Sequence, residues 1–332
     1  MREKISPFII TIGASAGGLK AVTELISQLP ADINAAIFVV LHFSKTVLGD
    51  IFVSRIQKAS SLTCRIAKDK DSIEVGNVYL APPDAHLLIK GNNVIIGHGP
   101  PENRFRPSID VLFRSAAASH GEKVTGIILT GLLNDGVIGM IAIKESGGYC
   151  IVQDSNEAEY PDMPLAVLES IEVDDSVSLK KMGASILKSL DKARLTGTIT
   201  PPEIVAESML SEKVATGLDD VSKLGKKTIY ACPDCGGGLW SIENNKAKHY
   251  RCHIGHSYSE NDLLIKQRDS IESTLWIAVR MMEERKILLQ KISKQNDARG
   301  LQGLSTEYHQ KALDLTLHIQ NLKELLFTVN DD

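Results

Sequence analysis

The sequence predicts a doubly wound α/β domain, with a mostly parallel sheet carrying helices on both faces, followed by a small cysteine-rich module and a C-terminal helical hairpin. Three observations lead there. Over roughly the first 190 residues, short β-branched runs alternate with amphipathic stretches, the pattern of strand–helix repeats. One of those runs, 36–41, is apolar at nearly every position, as a strand is when both faces of its sheet are covered. Late in the chain, Cys232, Cys235 and Cys252 stand close together ahead of two long helical patterns.

Residues 8–12 read as the first strand, and 19–29 as a helix with Leu19, Val22, Leu25 and Ile26 on one face. The strand at 36–41 follows. Residues 77–80, 87–90 and 93–96 look like short strands, and a small antiparallel insert is expected there. A helix over 109–120, a buried strand over 124–130, a helix over 137–145 and a strand over 150–153 complete the alternation. Between 196 and 227 the pattern loosens around Pro201 and Pro202, reading as a linker with a short helix near 202–210. The Cys/His segment spans 228–259. Helical patterns over 260–296 and 305–329, separated by Arg299, Gly300 and Gly303, predict the hairpin, with coiled-coil-like packing. Ile271, Leu275, Val279 and Leu288 mark an apolar side on the first helix, and Leu313, Leu317, Ile319 and Leu326 on the second. The expected divisions are therefore 1–195, 196–227, 228–259 and 260–332.

A chain of 332 residues has room for a full-sized catalytic domain and an accessory module. Hydrophobic residues at 43% and charged residues at 23% are ordinary for a soluble globular protein, and a net charge of −4 argues against nucleic acid or an anionic membrane as partner. Apolar runs such as 35–41 are far too short to span a bilayer, and residues 1–7 lead into strand-like sequence without a secretory leader. A cytoplasmic location is expected. The five cysteines agree, since an odd, clustered set reads better as metal ligands than as a disulfide framework.

The segment Ile12-Gly13-Ala14-Ser15-Ala16-Gly17-Gly18 lies between a strand and a helix. Its small residues permit the tight turn of a nucleophile elbow, with helix-start N–H groups near a developing oxyanion. On the local sequence alone, a phosphate-binding turn fits equally well. His42 changes the balance, because it directly follows the second strand and so sits at another C-terminal strand edge. Asp135, in Gly131-Leu132-Leu133-Asn134-Asp135-Gly136, lies just past a third. A serine needs a base, and the base needs a carboxylate to fix its tautomer, so Ser15, His42 and Asp135 form a candidate catalytic triad. Taken singly, His42 would pass for a core histidine and Asp135 for a helix cap. The order Ser, His, Asp departs from the Ser, Asp, His order of α/β-hydrolases and disfavours an ordinary lipase or esterase.

These residues, with Leu129-Thr130-Gly131, Ala81-Pro82-Pro83-Asp84-Ala85-His86, Arg106-Pro107-Ser108-Ile109-Asp110, Gln153-Asp154 and Met163-Pro164, resemble the catalytic domain of CheB-type protein-glutamate methylesterases over roughly residues 8–190. The resemblance implies a serine hydrolase that removes methyl esters from glutamates of chemoreceptor cytoplasmic domains, releasing methanol, and that often deamidates receptor glutamines. It implies the Ala16 N–H as oxyanion donor and no cofactor for catalysis. Two departures stand out: Leu132 and Leu133 replace the family's usual methionine and glycine beside the substrate groove, and Ala16 replaces its usual hydroxyl residue. The best-known members carry an N-terminal receiver domain; this sequence opens on the catalytic domain, so an enzyme unregulated in cis, or one controlled through the C-terminal part, is the expectation.

That part holds Cys232-Pro233-Asp234-Cys235 and then Cys252-His253-Ile254-Gly255-His256, the spacing of a zinc ribbon. A structural Zn²⁺ on Cys232, Cys235, Cys252 and His256 is expected, with His253 and His249 as the other candidate ligands. A redox C-x-x-C is the alternative, but that motif normally opens a helix, and here Gly236-Gly237-Gly238 follows. The hairpin reads as a dimerisation or docking element, or as a pair that buries its own apolar face. Two other functions compete with the esterase: a catalytically weak regulator that binds a signalling partner, and a related hydrolase with a non-receptor substrate.

Overall fold

The structure is a computed structural model that describes residues 7–42, 49–192, 195–212, 221–244 and 247–329. The reading of residues 1–6 and part of the expected linker, 213–220, lie outside the described residues. The chain divides into two compact units, Met1–Glu260 and Asn261–Asp332.

In the first unit, β1 (Phe8–Ala14), β2 (Ala35–Leu41), β3 (Thr63–Ile66) and β4 (Asn77–Leu80) precede an antiparallel pair, β5 (His86–Lys90) and β6 (Asn93–Gly97). β7 (Val124–Ile128), β8 (Tyr149–Gln153) and β9 (Asp175–Val177) follow. Seven of these strands form one sheet in the order β3-β4-β2-β1-β7-β8-β9, with every neighbouring pair parallel. Side chains alternate across a strand, so β1 sends Ile9 into one core and Ile10 and Ile12 into the other, and β2 divides in the same way. One face is covered by α1 (Gly18–Ser27), α2 (Gly49–Ala59) and α6 (Met182–Ser189), through Leu25, Ile56 and Ile186. The other is covered by α3 (Ile109–His120), α4 (Val137–Glu145) and α5 (Asp162–Ser170), through Phe113, Met140 and Val167. The expected doubly wound architecture is the one observed. Chain order reverses at β1, with β2 on one side and β7 on the other, and crevices outside the C-terminal strand ends at such a point are where ligands bind in α/β sheets.

One element falls elsewhere than the periodicity suggests. Residues 77–80 belong to the main sheet, parallel to β2 and β3, and only 86–97 makes the antiparallel insert. Val78 and Tyr79 are fully buried, because this strand is covered on both faces. Four residues are too few for a pattern to tell such a strand from a half-exposed one.

The segment read as a linker contains α7 (Pro202–Ser211), which packs on α3. Beyond it, β10 (Lys226–Ala231), β11 (Gly238–Asn244), β12 (Ala247–Cys252) and β13 (Ser257–Ser259) form an antiparallel sheet in sequence order. A buried ion network ties these parts together. Arg114 of α3 meets Glu102 at 2.7 Å, Arg251 of β12 meets the same carboxylate at 2.9 Å, and His249 meets Glu207 of α7 at 2.8 Å. Burial alone would raise the Glu102 carboxyl, but Arg114 and Arg251 outweigh it and hold it down at about 2.

In the second unit, α8 (Glu260–Ala298) and α9 (Gln302–Val329) run antiparallel. They meet through Val279, Ile319 and Leu326, a Glu283–Lys323 ion pair and paired hydroxyls of Ser293 and Ser305. Several residues expected on the apolar side, including Ile271, Leu288, Leu313 and Leu317, are exposed instead. Two helices in contact cover only a narrow stripe of each other, so a broader apolar face stays open. No helix of the described residues is long and apolar enough to cross a membrane.

Removing Arg251 leaves Glu102 and Glu207 buried with one fewer cation. Arg251→Ala is expected to destabilise the first unit by about 3–5 kcal/mol, read by denaturant unfolding of the full chain.

Candidate active site and metal centre

β1 and β2 pair in register through Ala14 and Leu41, and the His42 N–H donates to the Ala14 carbonyl at 3.1 Å. Ser15 and His42 are therefore the next residues on two adjacent strands. The Ser15 turn is pinned to the far side as well: its N–H donates to the Thr130 carbonyl at 3.0 Å, and the Thr130 hydroxyl donates to the Ala16 carbonyl at 3.1 Å. Gly131 is needed here, since a Cβ on it would collide with Ser15 Cβ and the Met163 sulfur.

His42 Nε2 lies 3.0 Å from Asp135 Oδ2. That contact sets the tautomer, with the proton on Nε2 and the lone pair on Nδ1, which is buried and has no hydrogen-bond partner among the described residues. Phe105 stacks on the imidazole with ring centroids 3.7 Å apart, restricting its rotation. The Ser15 hydroxyl makes no hydrogen bond to His42 or Asp135 among the described residues; in free enzymes such contacts are commonly long and tighten with substrate. The fold thus pairs the predicted base with the predicted carboxylate and sets the predicted nucleophile beside them.

Asp135 is fully buried, and its charge is held by more than His42. The Ile109 N–H donates to Oδ2 at 2.7 Å, while Ser108 Oγ at 2.9 Å, Asn103 Nδ2 at 3.2 Å and the Asp110 N–H at 3.3 Å donate to Oδ1. Two of these come from the start of α3, where the helix dipole adds to the attraction. Burial works to raise the Asp135 carboxyl, but His42 and these donors outweigh it and hold it below its ordinary range. Asp110 goes the other way: burial and the neighbouring Asp135 charge push its carboxyl well above the usual range. The two buried carboxyls are thus pushed in opposite directions, Asp135 toward its charged form and Asp110 toward its protonated one. Asn103, Phe105 and the role of Ser108 escaped sequence reasoning. They sit on an irregular loop with no periodicity, and only the Arg106-to-Asp110 motif marked the neighbourhood.

Leu132 is exposed on the β7–α4 turn, and Leu133 adopts a left-handed backbone with φ 68°. A glycine takes that conformation freely and a leucine does not. A cleft of about 380 Å³ opens beside Gly17 and Thr130, lined also by Lys20, Glu159 and Lys180.

In the module, Cys232, Cys235, Cys252 and His256 offer ligand atoms that all lie within 4.8 Å of one another. His256 Nδ1 is 3.7 Å from the Cys232 sulfur and 3.5 Å from that of Cys252, and the sulfurs of Cys235 and Cys252 are 3.8 Å apart. A tetrahedral zinc with Zn–S bonds near 2.3 Å has ligand-to-ligand edges of about 3.7 Å, so the donor set and its spacing fit that ion. Each ligand pair is formed by a tight turn; Gly236, with φ 72°, closes the first by donating its N–H to the Cys232 carbonyl at 2.8 Å. His249 is engaged with Glu207, and His253 lies against the Trp240 ring, so neither belongs to this cluster.

Residues 10–186 match the profile of the CheB methylesterase domain. The chain belongs to the CheB methylesterase family. A Leptospira interrogans relative, named for protein-glutamate methylesterase and protein-glutamine glutaminase activities, is 38% identical over 187 residues, covering 56% of this chain and 96% of its own. A Photorhabdus laumondii protein-glutamate methylesterase/protein-glutamine glutaminase is 33% identical over 190 residues, and the match spans 54% of its length. The crystal structure of the Thermotoga maritima CheB methylesterase catalytic domain superposes with a TM-score of 0.53 at 29% identity, covering 55% of this chain and 99% of that one. All three similarities cover just over half of this chain.

Leu133→Gly relieves a left-handed leucine at the cost of a more flexible unfolded chain. The expected outcome is a net stabilisation of about 1 kcal/mol, seen as a raised Tm.

Proposed function

We propose that this protein is a serine hydrolase that removes methyl esters from glutamate side chains of chemoreceptor cytoplasmic domains. The observation that carries the reading is the buried Asp135–His42 pair at the strand ends beside Ser15, in a chain of the CheB methylesterase family. His42, its proton fixed on Nε2 by Asp135, takes the Ser15 hydroxyl proton on Nδ1 as Oγ attacks the ester carbonyl. The Ala16 N–H stabilises the oxyanion. His42 then passes the proton to the departing methoxide, methanol leaves, and a water deprotonated by the same imidazole hydrolyses the acyl-enzyme. A glutamine amide follows the same route with ammonia as leaving group, which accounts for the paired activities in the relatives' names.

The catalytic domain is assigned to 1–195 and the linker to 196–227, and the chain acts in the cytoplasm. Residues 228–259 form a zinc-ribbon-like module in which Cys232, Cys235, Cys252 and His256 hold a structural Zn²⁺. Four protein ligands would close the coordination sphere of a zinc ion, giving it a structural role and leaving ester cleavage to Ser15 and His42. The helical hairpin, 260–332, presents its exposed apolar side to a second copy or to a signalling partner.

Methanol release from methylated receptor is expected to fall by about three orders of magnitude or more in Ser15→Ala. Retained release would remove the reading. Metal analysis of protein purified without chelators should find about one zinc per chain, lost in Cys232→Ser. Metal-free, folded wild type would contradict the zinc assignment.

A further inference from the structure

The Cys/His module reaches the active site directly. β13 begins immediately after His256, and the Ser257 carbonyl accepts the Asn103 N–H at 2.9 Å. The Ser259 N–H donates to Asn103 Oδ1 at 3.3 Å. On the other side, Asn134 Nδ2 donates to Ser259 Oγ at 2.9 Å. One strand of the module therefore grips two residues that flank the catalytic carboxylate: Asn134, its chain neighbour, and Asn103, which donates to Asp135 Oδ1.

Asn103 has little freedom left. Its Nδ2 is shared between Asp135 and Asp110, its Oδ1 and its N–H are occupied by β13, and its backbone is left-handed with φ 48°. Next to it, Glu102 is fastened to β12 through Arg251 and to α3 through Arg114. β12 and β13 thus hold the amide toward the catalytic carboxylate, and Cys252 at the end of β12 and His256 just before β13 are two of the four clustered ligands.

We propose that Asn103 is a positioning residue for the Asp135–His42 pair, and that the Cys/His module is the part of the protein that holds it there, making this module a structural component of the active site. The inference rests on the esterase reading above and deepens it. Formation of the module, with its metal, is then a condition for full turnover by a domain whose nucleophile and base lie elsewhere in the chain. Losing the module frees the loop around Asn103, so the imidazole loses a fixed partner without losing any group that touches substrate.

The test uses the full chain and a peptide bearing a glutamyl methyl ester, with burst titration of Ser15 to count competent sites. Asn103→Ala should lower kcat per titrated site by about 10–100-fold, with KM changed less than about twofold. Cys232→Ser should lower kcat comparably, and the double variant should be no worse than the poorer single variant, because both changes act through one contact. Additive losses, or fewer titratable sites at unchanged kcat per site, would overturn the proposal in favour of a general folding role. Should Cys232→Ser fail to fold, Ser259→Pro takes its place because it removes the N–H that Asn103 Oδ1 accepts, with kcat expected to fall about 3–10-fold and unchanged kcat counting against the clamp. A readout independent of activity is amide hydrogen exchange: stripping metal from wild type with a chelator should speed exchange at the Asn103 N–H, and unchanged exchange overturns the coupling. The Ser15→Ala control separates the two readings. Activity that survives in it sinks the esterase reading; activity lost in it but retained at wild-type kcat in Asn103→Ala sinks the clamp alone.

Discussion

Asp135 carries its charge where water does not reach it, and an unpaired carboxylate in such a place is costly enough to take up a proton instead. Keeping it ionised requires partners on every side, and much of the surrounding architecture is explained by the need to bring them. His42 arrives from the end of β2, and two N–H groups arrive from the start of α3. Ser108 and Asn103 come from the loop that precedes that helix. The Asp110 carboxyl is pushed the other way, above its ordinary range, since a second charge so near would oppose the first.

The sheet topology makes that convergence possible. With β2 and β7 on either side of β1, three loops open at one edge without the chain crossing itself. The serine turn needs room between β1 and β7, and Gly131 supplies it by leaving space for Ser15. In the same loop, Leu133 sits in a conformation that favours glycine, a local strain carried close to Asp135 in the chain.

The placement of Ser15, His42 and Asp135 at one sheet edge was legible because β1, β2 and β7 announce their ends: each is an apolar run broken by glycine, histidine or a polar turn. The Cys/His cluster was legible for a different reason, as tight turns are local and leave their spacing in the chain. What hydrophobic patterns do not encode is pairing between polar residues distant in sequence. Nothing near Asn103 points to Ser259, and nothing near Glu102 points to Arg251, although these contacts join the catalytic and Cys/His parts within one unit. The placement of β4 was misread for want of length, and the apolar stripe of α8 and α9 was read too broadly because two helices bury only part of it.

In the proposed reaction an acyl group passes through the Ser15 oxygen. Rapid acid quench of the protein during turnover on a glutamyl-methyl-ester peptide, followed by peptide mapping by mass spectrometry, tests it most directly. A covalent acyl adduct is expected on the segment containing Ser15, with the methyl group already lost as methanol. Methanol release with no adduct on any residue, or with the adduct on a residue other than Ser15, would contradict it.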